Sequence, residues 1–323
     1  MDIQKLKDQL IQGERRAIAQ AMTLAESLNP EHQMQAQALL SELLPHAGNA
    51  FRIGISGAPG VGKSTFIENF GQLLIQKGHR VAVLAVDPSS PLSKGSILAD
   101  KTRMVSLSQN PSAFIRPSPS GGVLGGTAQR TQDVVTIAEA AGFDVILIET
   151  VGVGQSEVAI SYLSDMVLLL LAPTLGDELQ GIKKGIVEIA DLILINKSDS
   201  GLETLCDQTA QAYRNAIDLS HPRHEGWTPQ VKTISAIEGK GLSELYESIQ
   251  SFKLKMQTSH EWQRTRKSQT RFWLEQDLKS LFWKRVEKDF KAAIDEATQE
   301  IENHRSTSSL AACAVLKKIF GRG

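Results

Sequence analysis

The run Gly57-Ala58-Pro59-Gly60-Val61-Gly62-Lys63-Ser64 constrains this chain more than any other feature, because it satisfies G-x-x-x-x-G-K-[ST] between a β-prone apolar segment and a helical one. The segment before it, Phe51 to Ser56, reads as a strand. The segment after it, Ser64 to Gln76, carries helical periodicity through Phe66, Ile67, Phe70, Leu73 and Leu74. Glycines at these positions let backbone N–H groups turn inward on an anion, and the helix N-terminus behind them favours negative charge. Gly57, Ala58, Pro59, Gly60, Val61, Gly62, Lys63, Ser64 and Thr65 are therefore expected to hold the phosphates of a nucleoside triphosphate. Lys63 would reach the β- and γ-oxygens, and Ser64 would give its hydroxyl to Mg²⁺.

Strand-like and helical segments alternate beyond this loop. Val81 to Val86, Ala113 to Ile115, Val145 to Ile148, Met166 to Ala172, Leu192 to Ile195 and Val231 to Ile234 are short apolar runs with helical segments between them. Runs without a polar face predict an α/β fold with a doubly wound, largely parallel sheet, its ligands gathered at the carboxyl ends of the strands. Residues 3–45 read as a helical hairpin. Leu6, Leu10, Ile11, Ile18, Met22 and Leu28 stripe its first helix, Asn29-Pro30 breaks it, and Met34, Leu39, Leu40, Leu43 and Leu44 stripe the second.

Past Lys253 the strand signal stops. Leu274, Leu278, Leu281, Phe282, Val286, Phe290, Ala293 and Ala297 trace one continuous helical stripe, with Phe272, Trp273 and Trp283 outside it. That is more apolar surface than one core-facing side requires, so either a dimer arm or packing on the N-terminal hairpin accounts for it. The resulting division is 1–48 for the helical hairpin, 49–254 for the nucleotide domain, 255–303 for the helical region and 304–323 for a loose tail ending in a short amphipathic piece, Leu310 to Phe320.

Asn196-Lys197-Ser198-Asp199 follows the strand Leu192 to Ile195 and selects the base. The Asp199 carboxylate can accept from N1–H and the 2-amino group of guanine, whereas adenine would present a lone pair at N1. Asn196 would brace the surrounding loops and Lys197 would lie along the base. Ser235-Ala236 can place a backbone N–H near the guanine 6-oxo group. Asp87, Asp100 and Glu149 each leave the ligand side of the sheet and form, with Ser64, the expected magnesium shell. Asp87 before Pro88 is also an ordinary turn former, as is Asp100 in its loop. Gln155 is not placed as a water-positioning residue usually is, so hydrolysis is expected to be slow. The Gly121 to Gly126 stretch is a hinge or merely a loop.

The chain's 323 residues carry a formal net charge of −1 and 41% hydrophobic content, ample for a core, with no global charge drawing it to nucleic acid or to an anionic membrane. Two cysteines, Cys206 and Cys313, make no disulfide framework and fit a reducing cytoplasm. No apolar run of about 18 residues or signal-peptide pattern is present.

The motifs GAPGVGKST, VDPSSP, ETVGVGQSE, GDELQGIKKG, NKSD and SAIEGKG, in this order, resemble the MeaB/ArgK family of GTPases, which includes the methylmalonic aciduria type A protein. The resemblance spans roughly residues 10–300. It implies a homodimeric, Mg²⁺-dependent GTPase that binds GTP and GDP, gates cofactor delivery to an adenosylcobalamin-dependent acyl-CoA mutase and protects that mutase from inactivation. It also implies that Lys63, Glu149 and Lys183 serve hydrolysis, with Asp177 to Lys184 as an additional switch loop. The chain has no C-x-C-C motif or His-rich tract for carrying a soft metal, and no Asp-x-His-x-x-Gly cobalamin motif of its own. The competing expectation is an ATPase or kinase linked to arginine or ornithine transport.

Overall fold

Strands as apolar as Val145-Ile146-Leu147-Ile148 have no face to give to water, so they must be covered on both sides. The computed structural model describes residues 2–86, 104–117, 126–150, 156–173, 184–199, 201–217 and 222–321. Among them seven strands form one sheet: β1 (Phe51–Ser56), β2 (Val81–Val86), β3 (Ala113–Arg116), β4 (Val145–Thr150), β5 (Met166–Leu171), β6 (Leu192–Ile195) and β7 (Gln230–Thr233). Their order is β3-β2-β4-β1-β5-β6-β7, and every neighbouring pair is parallel. The chain winds outward from β1 one way through β2 and β3, and the other way through β5, β6 and β7. That reversal opens a ligand crevice at the carboxyl ends beside β1.

The helices in chain order are α1 (Ile3–Ile11), α2 (Arg15–Glu26), α3 (Pro30–Leu43), α4 (Lys63–Gln76), α5 (Val105–Gln109), α6 (Gly126–Ala140), α7 (Ser156–Leu163), α8 (Lys184–Ile189), α9 (Glu203–Ile217), α10 (Leu242–Thr258), α11 (Glu261–Asp289), α12 (Lys291–Glu302) and α13 (Ser308–Phe320). Period-two alternation sorts the sheet's side chains between the two layers. Leu168, Leu170, Leu192 and Leu194 join Phe66 and Phe70 of α4 and Leu245, Ile249 and Phe252 of α10. Leu169, Leu171, Ile193 and Ile195 join Cys206, Ala210 and Tyr213 of α9. Phe66 and Phe70 stack with centroids 5.2 Å apart, which stiffens the helix that the phosphate-type loop enters.

The helical extensions depart from the sequence reading in two places. Three helices, not two, precede the sheet. Gly13 at φ +80° ends α1, with Glu14 N–H donating to the Gln9 carbonyl (3.0 Å) and Gly13 N–H to that of Leu10 (2.9 Å). The Asn29-Pro30 break is real, with Asn29 Oδ1 accepting from Glu31 N–H at 2.9 Å. The stripe expected to run unbroken from Leu274 to Ala297 is interrupted at Phe290, whose φ of −122° and ψ of 23° separate α11 from α12. The amphipathic piece expected from Leu310 to Phe320 is α13, which starts two residues earlier at Ser308, with the Thr307 hydroxyl accepting from Leu310 N–H.

The chain forms two compact units, Met1–Thr270 and Arg271–Gly323. In the first, α2 and α3 pack on α6. In the second, α12 and α13 pack together, and Lys318 pairs with Glu296 at 2.6 Å. Among the described residues no helix is long and apolar enough to cross a membrane.

Buried charges sit at the amino ends of the central strands, away from the crevice. Arg266 makes a two-pronged contact with Asp165 (2.8 and 2.7 Å) and donates to the Gly48 and Ala50 carbonyls, both at 2.6 Å. One strand over, Asp191 accepts from Val167 N–H (2.8 Å) and Arg223 (3.1 Å), with His224 Nε2 3.6 Å away. Burial outweighs Arg223 and pushes the Asp191 carboxyl up from 3.8 to about 6. Burial, helped by the Arg223 charge, pushes His224 down from 6.5 to about 3.

These two groups pull stability in opposite directions. Below pH 6.5 the unfolded chain protonates His224 first, so this group's contribution to stability falls with pH. Between pH 6 and 3.8 the folded chain protonates Asp191 first, which works against that loss. His224→Gln should therefore gain stability relative to the native chain as pH falls from 6.5 to about 4, as read by thermal unfolding in a pH series. An offset that is the same at every pH would contradict this balance.

Candidate functional site

β1 delivers the chain into the loop at the carboxyl edge of the sheet, and Lys63 begins α4 one residue earlier than its periodicity indicated. Two of the loop's glycines are required for separate reasons. Gly57 lies against β5, where a Cβ would stand 2.3 Å from the Leu170 carbonyl oxygen. Gly62 has φ +96°, and a Cβ there would lie 2.6 Å from Asn196 Nδ2. Lys63 is buried, its ammonium donating to the Gly57 (2.8 Å) and Ala58 (3.2 Å) carbonyls, so the charge already rests over the loop. Ser64 and Thr65 follow, half-buried, on the first turn of α4.

Glu149 is buried near the carboxyl end of β4, in register with Ile55 of β1. Thr150 beside it donates to Ser56 Oγ at 3.2 Å and laces the two strand ends together. Ser64 and Glu149 are hard oxygen donors, the kind Mg²⁺ takes. Among the described residues no cluster of three or more His, Cys, Asp or Glu forms a metal cage. Asp87, Asp100 and Lys183 lie outside the described residues, as do Gln155, the loop from Asp177 and the Gly121 to Gly125 stretch.

The other half of the site is built around Asn196. Its Nδ2 donates to the Val61 carbonyl in the glycine loop (2.8 Å), and its Oδ1 accepts from Ala236 N–H (2.9 Å). One buried amide thus joins the loop after β1, the loop after β6 and the loop after β7. Lys197 sits in the left-handed region at φ +66°, turning the chain so that Asp199 Oδ2 accepts from the Ser235 hydroxyl at 2.5 Å. Ser198 N–H donates to the Ile234 carbonyl and Ser235 N–H to that of Lys240, both at 3.0 Å.

Sequence reasoning expected Ser235-Ala236 to offer an N–H to the base. In this structure the Ala236 N–H belongs to Asn196. It also missed two side chains of this network, Asn69 and Cys206. Asn69 Nδ2 donates to the Ala236 carbonyl (2.7 Å), and the Cys206 thiol donates to the Asn196 carbonyl (3.7 Å). The only available signal for Asn69 was a polar residue wedged between Phe66 and Phe70, which helical periodicity does not distinguish from a solvated position.

A family model described as methylmalonyl Co-A mutase-associated GTPase MeaB matches residues 18–293. The chain belongs to this family. It is therefore a GTPase that binds guanine nucleotides. A putative GTPase of Caulobacter vibrioides is 55% identical over 249 residues, 77% of this chain and 76% of that protein. The mouse methylmalonic aciduria type A homolog, a mitochondrial protein, is 45% identical over 282 residues, 84% of this chain and 68% of its own length. The crystal structure of an LAO/AO transport system kinase superposes with a TM-score of 0.80 at 35% identity, covering 98% of this chain and 97% of that one.

Gly57→Ala should damage the site more than its size suggests. The added methyl must displace the β5 backbone at Leu170, a strain of roughly 1–3 kcal/mol or more. Thermal unfolding and GDP titration should show both lower stability and a large loss of affinity. Unchanged GDP binding would mean that the loop does not need its close approach to β5.

Proposed function

We propose that this GTPase is a chaperone that gates cofactor loading into an adenosylcobalamin-dependent acyl-CoA mutase of the methylmalonyl-CoA mutase type, protecting it from inactivation, and that it works as a cytoplasmic homodimer. The partner reading is carried by the family match over residues 18–293, whose description names such a mutase, together with the methylmalonic aciduria type A relative. The lack of a cobalamin-binding Asp-x-His-x-x-Gly sequence in this chain agrees with a cofactor held by the partner. The dimer reading is supported by α11, where Leu274, Leu278, Leu281 and Trp283 are each more than half exposed. Residues 255–303 would form its interface.

In this reading the glycine loop and Thr65 hold the phosphates, and Lys63 moves its ammonium from the loop carbonyls to the β- and γ-oxygens. Asp199, steadied by Ser235, accepts from guanine N1–H and the 2-amino group. Ser64 and Glu149, with Asp87 and Asp100, would hold Mg²⁺, which when bound offsets charge on the phosphates. A water then attacks the γ-phosphorus, the bond to the bridging oxygen breaks, and GDP and phosphate leave. Hydrolysis by the free protein is slow. Lys183 supplies a further positive charge at the phosphates when the mutase is bound.

A transport-kinase reading rests on the name of the 35%-identical solved structure and requires ATP as substrate. The Asp199–Ser235 pair favours guanine instead, because an adenine ring would turn its N1 lone pair toward the carboxylate. GTP should be preferred to ATP by on the order of 10⁴, and Asp199→Asn should shift preference toward xanthosine nucleotides, as measured by competition binding. Equal ATP and GTP affinity would overturn the guanine reading. Single-turnover hydrolysis should accelerate when the organism's own acyl-CoA mutase is added, and Lys183→Ala should lose that acceleration while keeping the basal rate. No acceleration by the mutase would remove the chaperone reading.

A further inference from the structure

The Ala236 peptide is gripped on both sides. Its N–H donates to Asn196 Oδ1 at 2.9 Å, and its carbonyl accepts from Asn69 Nδ2 at 2.7 Å. Asn69 belongs to α4, six residues after Lys63, and its Nδ2 also reaches the Thr65 carbonyl one turn back (3.3 Å). Asn196 in turn holds the Val61 carbonyl (2.8 Å). Val61, Asn196, Ala236 and Asn69 therefore close a ring of hydrogen bonds that α4 completes covalently through Lys63 to Thr65. Ala236 is buried at 2% exposure, so its carbonyl has no ready exchange with water if Asn69 is removed.

We infer that Asn69 is a positioning residue for base selection: by holding the Ala236 carbonyl it sets the loop that carries Ser235, and through Ser235 the carboxylate of Asp199. This rests on the guanine reading above and adds to it a determinant that lies on the phosphate-side helix. The chemistry is specific to an amide. Asparagine presents an N–H donor at this reach, whereas aspartate of nearly the same shape presents a second acceptor to a carbonyl and repels it. Displacing Ser235 frees the Asp199 carboxylate from its 2.5 Å hydrogen bond and blurs its aim at the base edge. Substituting Asn69 leaves both Asn196 contacts in place, to the Val61 carbonyl and from the Ala236 N–H, together with those of Lys63, so the glycine loop keeps its geometry and the loss falls on the Ala236 carbonyl and the Ser235 side chain beside it.

The test is the ratio of GDP to ADP affinity, measured by calorimetric or fluorescence titration of the full chain for the native protein, Asn69→Asp and Asn69→Ala, alongside nucleotide-free melting temperatures. Loss of one positioning hydrogen bond should cut GDP affinity roughly tenfold while ADP affinity stays within about twofold, with Asn69→Asp the more severe. A merely structural role would lower both nucleotides in parallel, so a parallel loss overturns the inference. An unchanged ratio in whichever variant keeps a folded transition also overturns it. A native chain that binds ADP as tightly as GDP would bring down the guanine reading itself, an outcome distinguishable because it appears before any substitution is made.

Discussion

The Asn196 amide is the contact on which the site depends. A single planar group donates to Val61 and accepts from Ala236, and it fits because Gly62 has no Cβ to occupy its place. Each hydrogen bond is worth only about 1 kcal/mol net, yet breaking either leaves a buried polar group unsatisfied at roughly 1–3 kcal/mol. The glycine loop, the turn at Lys197 and the loop after β7 consequently share one geometry. An aspartate here would keep the acceptor and lose the donor, and an alanine would lose both.

The rest of the fold keeps that geometry in place. Strands β4, β5 and β6 are buried along their whole length and β1 at all but Arg52, so their carboxyl ends are rigid points from which the loops depart. The buried charges collect at the opposite ends, where Asp165 with Arg266 and Asp191 with Arg223 tie the strand entrances to the chain around them. Chemistry and structural ion pairs thus occupy opposite edges of one sheet. A proton arriving at Asp191 or His224 changes stability without entering the crevice.

Much of this was legible in the sequence, for identifiable reasons. Solid apolar runs such as Met166 to Leu171 admit little besides a buried parallel strand, and a glycine loop followed by Lys63-Ser64 implies its strand and helix. Gly13 could have been read as a helix stop, but it lay inside a stripe whose periodicity survived the break. Phe290 carried no such mark, since neither glycine nor proline stands there and the interruption shows only in its backbone angles. The double grip on Ala236 was illegible because Asn69 and Asn196 meet only after residues distant in sequence are brought to one edge.

The phosphate and base halves move as one body through Asn196. Hydrogen–deuterium exchange with inorganic pyrophosphate, which fills only the phosphate half, tests it directly. Pyrophosphate should slow exchange of the amides from Gly57 to Thr65 and, in the same titration, those of Ser235 to Glu238, with the second group following the first at equal ligand concentration. Protection confined to the glycine loop, with the Ser235 to Glu238 amides exchanging as in free protein, would contradict it.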